Sequence, residues 1–147
     1  MLNEVNLKVK GILENIALVR VIVASILAKT NITLDELSDI KTAVSEAVSN
    51  AIEHGYNLEK TGDVDICIKL GELDGMVYFW IKVADNGVGI ENIELATTPT
   101  YTTKPELEHA GMGFTIMETF MDEVVIDSKL GEGTVVTMTK KLKTIKV

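Results

Sequence analysis

A chain of 147 residues with 46% apolar and 24% charged side chains and two prolines can bury roughly 70% of its unfolded surface in one core, which excludes collagen-like, proline-rich and disordered classes. Its 22 acids against 14 bases leave a net charge of −8, which argues against a domain that tracks a nucleic-acid backbone, because such proteins concentrate basic side chains to displace counterions. The lone Cys67 excludes an internal disulfide or a multi-cysteine zinc site and suits a reduced, cytoplasmic setting.

Residues 4–10 alternate Val5, Leu7 and Val9 with polar neighbours and predict an edge strand, with no signal peptide ahead of it. Residues 12–29 are apolar on nearly every side, which predicts a helix buried on one face with a partner surface on another. Their most apolar stretch, residues 16–28, is interrupted by Arg20, the only arginine. As a helix it spans about 20 Å, short of the roughly 30 Å of a membrane core. Thr33 and Glu36 have capping-box spacing. The helix they open runs to about His54 and stops at Gly55, with Leu37, Ile40, Val44, Val48 and Ala51 on one face.

Beyond it the period becomes two. Val64, Ile66, Ile68 and Leu70 predict a strand, residues 71–75 a turn, and the β-branched and aromatic run 76–84 a second strand buried on both faces. Residues 91–110 have no period, and aperiodic segments that long inside compact domains are usually functional. A third helix is predicted from about Met112 to Met121, then a hairpin pairing 123–128 with 134–142 through Gly131-Glu132-Gly133. Cys67, Met112, Met117 and Met121 are assigned to the core, Trp80 to core or sheet-surface packing, and the terminal lysines 140, 141, 143 and 146 to a solvated edge. The order β-α-α-β-β-loop-α-β-β predicts a single domain over 1–147, an α/β two-layer sandwich with a mixed sheet covered by helices on one face.

Three motifs carry chemistry. Glu46 and Asn50 stand four residues apart, one turn apart on the same side of the second helix and away from its Leu37/Ile40/Val44 stripe. The pair suits a solvated polar face, or a carboxylate that takes a proton beside an amide oxygen that ligates a hard cation. Asp85-Asn86-Gly87-Val88-Gly89 follows the predicted strand 76–84. It reads as a plain turn, or as a carboxylate at the sheet rim accepting from an exocyclic amine, with backbone that a ligand can approach closely. Gly111-Met112-Gly113-Phe114 opens the predicted third helix, as a plain entry turn or as backbone donors for phosphate. No Walker A loop or protein-kinase signature occurs.

Together with the Gly131-to-Thr134 turn, this ordered set resembles the nucleotide boxes of the Bergerat-fold (GHKL) ATPases. Within that superfamily, SEAVSNAIEHGY (45–56), TTKPELE (102–108) and GMGFTIMETFMDEV (111–124) are similar to the anti-sigma serine kinases of sporulation, the anti-sigma F factors, and the likeness extends over essentially the whole chain. The resemblance implies an ATP- and Mg²⁺-dependent kinase with Glu46 as the base for a substrate serine and Asn50 as a Mg²⁺ ligand. It implies Asp85 on the adenine amine, with Gly87 and Gly89 shaping the backbone there, Gly111 and Gly113 at the phosphates, and Thr134 at the adenine end. Residues 97–110 become the lid over ATP. Lys104 adds positive potential near the phosphates, or is a solvated lid residue. His109 departs from the arginine the family carries in the lid, and a neutral imidazole cannot supply its fork of donors. His54 reads as a packing or capping residue.

The implied partners are a sigma factor, an anti-anti-sigma factor carrying the acceptor serine, and a second copy of the chain. Arg20 is the expected partner contact, against the alternative of a side chain snorkelling at a helix surface. Two further readings share the boxes: the catalytic domain of a histidine kinase, which the absence of a phosphoacceptor helix pair and of a membrane segment disfavours, and a binding module that holds ATP without catalysis.

Overall fold

The computed structural model describes residues 1–53, 62–87 and 105–142, with 105–112 as backbone only. Five strands, β1 (Asn3–Lys10), β2 (Asp63–Leu73), β3 (Met76–Asp85), β4 (Glu123–Lys129) and β5 (Gly133–Lys141), and three helices, α1 (Glu14–Leu27), α2 (Leu34–Glu53) and α3 (Pro105–Phe120), account for most of these residues. The strands form one sheet in the order β1-β2-β3-β5-β4. β1 is an edge strand, as its alternation predicts, and its Lys8 and Lys10 lie against Asp65 and Asp63 of the neighbouring β2.

The sheet is antiparallel at every pairing rather than mixed. A β3-α3-β4 crossover does return the chain in the direction of β3. The β4–β5 hairpin then folds β5 back into the gap, so the two co-directional strands never become neighbours. The layer prediction is met: α2 packs on β2, β3 and β5, α1 packs on α2, and α3 packs on α2 and β4.

Period-two alternation persists along β3 as well. Val77, Phe79, Ile81, Val83 and Asp85 are buried, whereas Tyr78, Trp80 and Ala84 are half-buried and Lys82 is exposed. The expectation of a strand buried on both faces fails because no element covers the far side of β3 among the described residues. Cys67, expected in the core, is half-buried on that open face. Trp80 lies there too, under the Lys69 ammonium at 4.7 Å from the ring centre. The core lies on the other side, where Phe79, Ile81, Val44, Val48, Phe114 and Met117 are at most 2% exposed.

Local chemistry sets the element ends. Both limbs of the α2 capping box form: the Glu36 N–H donates to Thr33 Oγ1 at 3.1 Å, and the Thr33 N–H donates to Glu36 Oε1 at 3.3 Å, a cap worth about 1 kcal/mol. α1 stops at Leu27, whose carbonyl accepts the buried Thr30 hydroxyl at 2.7 Å. The β2–β3 turn is only Asp74-Gly75, both at positive φ, a two-residue connection of the kind that matches strand twist; Gly71 belongs to β2.

α3 begins at Pro105, several residues before the predicted start. Proline at the first helical position followed by Glu106 and Glu108 is a start signal, but Gly111 and Gly113 mask the continuity that follows. Its last carbonyl region is neutralised from another element, Lys140 donating to the Phe120 carbonyl at 2.7 Å. Lys140 is therefore half-buried rather than part of a solvated edge, and a cation at a helix C-terminus contributes about 0.3–1 kcal/mol.

Candidate functional site

α2 reaches the site with a polar pair on its α3 side. Asn50 is 7% exposed, and neither its amide nitrogen nor its amide oxygen has a hydrogen-bond partner among the described residues. Burial of an unpaired amide costs about 1–3 kcal/mol, so a solvated polar face does not account for this residue. Glu46, one turn earlier, is half-buried.

Gly113 brings these two together with α3. A methyl group built on Gly113 would stand 2.8 Å from Asn50 Nδ2, 3.1 Å from Glu46 Oε2 and 3.3 Å from Asn50 Oδ1. The glycine is buried well inside α3 instead of at its start. At this position its bare backbone leaves room for a carboxylate and an amide to lie against the helix. Gly111 lies within the same helix.

A second polar group crosses the end of the sheet. Asp85 ends β3 and pairs in register with Thr134 of β5, which pairs in turn with Ser128 of β4. Asp85 and Thr134 are 6% and 9% exposed and continue the helix-facing alternation of Val83 and Val136. Asp85 Oδ1 accepts the Gly87 N–H at 2.9 Å, which folds the chain into a tight turn directly after the strand. Gly133 has φ +104° and backs onto the Asp85 carbonyl, which no side chain at that position permits. Ser128 donates to the Gly133 carbonyl at 3.1 Å and lies 2.7 Å from Thr134 Oγ1.

Sequence reasoning missed Ser128. The only signal was its place opposite Thr134 across the Gly131-to-Gly133 turn, which needs the hairpin register to be read. Gly89, Lys104, the histidines' side chains and the 97–104 part of the expected lid lie outside the described residues. Among the described residues no group of three or more His, Cys, Asp or Glu could hold a metal, and a hard cation at Asn50 would need further oxygen ligands from outside the protein groups described. The buried, unpartnered amide oxygen fits that requirement, because Mg²⁺ usually takes one or two protein oxygens and completes its shell from phosphate and water.

Arg20 lines a groove that includes none of these groups. It is exposed on α1 and lines this open groove of about 700 Å³ with Leu13 just ahead of α1, Val21 and Ala24 of α1 and Lys41 of α2. Val19, Val23 and Leu27 are fully buried while Leu13, Leu18 and Val21 stand 46–62% exposed, so α1 is apolar on both its packed and its open side, as predicted. No described helix is long and apolar enough to cross a membrane.

Residues 10–140 match the family model of the histidine kinase-like ATPase domain. An anti-sigma F factor of Geobacillus sp. (strain WCH70) is 52% identical over 140 residues, covering 95% of this chain and 93% of that protein. The anti-sigma F factor of Priestia megaterium is 49% identical over 142 residues, covering 97% and 95%. Among solved structures, the RsbU and RsbW domains of a Mycobacterium tuberculosis protein superpose with a TM-score of 0.66 at 22% identity, over 95% of this chain. The chain spans about a third of that protein (32%), and the likeness concerns the fold. On the family match and on these near full-length relatives, the chain belongs to the histidine kinase-like ATPases and, among them, to the anti-sigma F factors.

Proposed function

We propose that the chain is a cytoplasmic anti-sigma factor that holds a sporulation sigma factor and, with Mg²⁺ and ATP, phosphorylates a serine on an anti-anti-sigma protein. The observation that carries the reading is the meeting of Glu46 and Asn50 at Gly113, a proton acceptor and an unpartnered amide pressed against a helix with no intervening side chain.

Phosphoryl transfer asks the protein mainly to position groups and neutralise charge. The acceptor serine hydroxyl gives its proton to the Glu46 carboxylate as its oxygen bonds to the γ-phosphorus, and the bond to the β-phosphate oxygen breaks to release ADP. Asn50 would hold Mg²⁺, which neutralises charge on the phosphates when bound. Asp85 accepts from the adenine amine and Thr134 supports that end. Gly87 and Gly89 shape the turn beside the base, and Gly111 and Gly113 keep the phosphate side of α3 bare, with Lys104 adding charge.

The test is Glu46→Gln. It should remove transfer to an antagonist serine, a loss of at least about 100-fold, the lower range for general-base catalysis, while ATP affinity stays within twofold. Equal transfer by that variant refutes the base assignment, whereas a parent that binds ATP and transfers nothing favours a module that holds ATP without catalysis.

The partner surface in this reading is the exposed side of α1, used by a homodimer and its partners. Arg20 presents a planar fork suited to a carboxylate, and Lys41 adds a second cation in the groove. Arg20→Ala should weaken sigma or antagonist binding at least tenfold, a loss in the range of a charged hydrogen bond, with ATP affinity unchanged. Full partner affinity in a pull-down titration removes Arg20 from the interface.

A further inference from the structure

We propose that Ser128 fixes the nucleobase preference of the site by holding the hydroxyl proton of Thr134, so that the pocket selects 6-aminopurine over 6-oxopurine nucleotides. The inference rests on the nucleotide reading of Asp85 and Thr134 and adds a positioning residue to it.

Ser128 Oγ donates to the Gly133 carbonyl at 3.1 Å and is 2.7 Å from Thr134 Oγ1. A carbonyl oxygen can only accept, and a hydroxyl has one proton to give. The 2.7 Å contact between the two hydroxyls is open to either donor; in the proposal the Ser128 proton goes to the Gly133 carbonyl, so that Thr134 donates to Ser128. Thr134 Oγ1 then keeps only lone pairs for anything else that approaches it. Its neighbour across the strand pair is Asp85, whose carboxylate is also an acceptor.

Two acceptors side by side match a group that donates twice or donates while bridged by water, as the exocyclic amine of adenine does. They repel a keto oxygen at the same ring position. Asp85 and Thr134 are 6% and 9% exposed, so solvent does little to relieve such a mismatch, and buried polar groups left facing the wrong partner discriminate strongly. Ser128 touches no nucleotide in this scheme. It acts through Thr134, at a turn where Gly133, with φ +104°, backs onto Asp85 and its carbonyl accepts from Ser128.

ITP is the diagnostic probe, because it carries a keto oxygen where ATP carries the amine and lacks the 2-amino group of GTP. Dissociation constants for Mg-ATP and Mg-ITP would be measured by displacement of a fluorescent ATP analogue from the full chain. The parent should prefer ATP by at least about 100-fold. Ser128→Ala frees the Thr134 hydroxyl to turn its proton into the site, so the ATP-to-ITP ratio should fall at least tenfold, with ITP binding better in absolute terms. Ser128→Cys, close in size and a weak hydrogen-bonding group, should behave similarly if the alanine variant folds poorly, and Ser128→Thr should restore the parent ratio. An unchanged ratio in the alanine and cysteine variants overturns the proposal, as does an equal loss of both nucleotides, which would mark a merely structural serine. A parent that binds neither nucleotide overturns the nucleotide reading itself, and the proposal with it.

Discussion

Gly113→Ala should leave a folded protein that no longer transfers phosphate. Alanine in place of a helix-interior glycine is favourable by about 1 kcal/mol on propensity alone, and the φ at Gly113 is not in the left-handed region. The added methyl, however, would stand 2.8 Å from Asn50 Nδ2 and 3.1 Å from Glu46 Oε2, the first a distance that a real methyl contact essentially never shows. These are the far ends of flexible side chains, so the clash is relieved by pushing the amide and the carboxylate aside and not by unfolding α3. Catalysis feels that displacement directly, since a misplacement of about 1 Å can cost 10²-fold. The expected result is a melting temperature equal to or a few degrees above the parent, with phosphorylation of the antagonist down at least about 100-fold. Transfer within threefold of the parent would show that Glu46 and Asn50 do not work from the positions they hold against α3.

That pairing of a silent fold effect with a large functional one follows from how the site is encoded. The spacing of Glu46 and Asn50 is legible in the sequence because a helix repeats every 3.6 residues, and the capping box at Thr33 and Glu36 fixes where that helix starts. What spacing cannot supply is which neighbour the pair faces. α2 is covered by α1, α3 and the sheet, so its buried surface is wider than the Leu37-to-Ala51 stripe and takes in Asn50 as well. The glycines of α3 misled in the same way. Locally they read as a loop entering a helix, whereas Gly113 is inside the helix because tertiary packing against two polar side chains outweighs a propensity cost of about 1 kcal/mol.

The sheet shows the same division. Hairpins are local, and both β2–β3 and β4–β5 were visible in alternation and turn residues. The order of the hairpins in the sheet is not local: nothing in residues 123–141 alone says that β5 rather than β4 lies beside β3. Yet that choice sets Thr134 against Asp85 and Ser128 beyond it, and so creates the polar row at the sheet end. The charge of −8 also takes on a local meaning. In the proposed reading the groove beside α1 offers a partner Arg20 of α1 and Lys41 of α2, cations on a protein whose excess charge is negative, which suits recognition of an acidic protein surface.

Gly133→Ala should be the most destabilising of the single-methyl changes. A φ of +104° lies where side chains other than glycine are strained by about 1–3 kcal/mol. The new methyl would also press into the Asp85 backbone, 2.8 Å from the Asn86 Cα and in collision with the Asp85 carbonyl oxygen. Backbone cannot step aside as the tips of Glu46 and Asn50 can, and overpacking of this kind adds about 1–3 kcal/mol. Against a total stability of about 5–15 kcal/mol, the sum should lower the melting temperature by about 10 °C or more and part the ends of β3 and β5. Gly131 provides the control. It too has positive φ, +84°, but a methyl there meets nothing within 4 Å, so Gly131→Ala should carry the conformational cost without the collision. Thermal melts of the two variants separate the causes. A Gly133→Ala melt no lower than that of Gly131→Ala would mean that the close approach of β5 to the end of β3 does not hold in solution, and the placement of Thr134 beside Asp85 would fall with it.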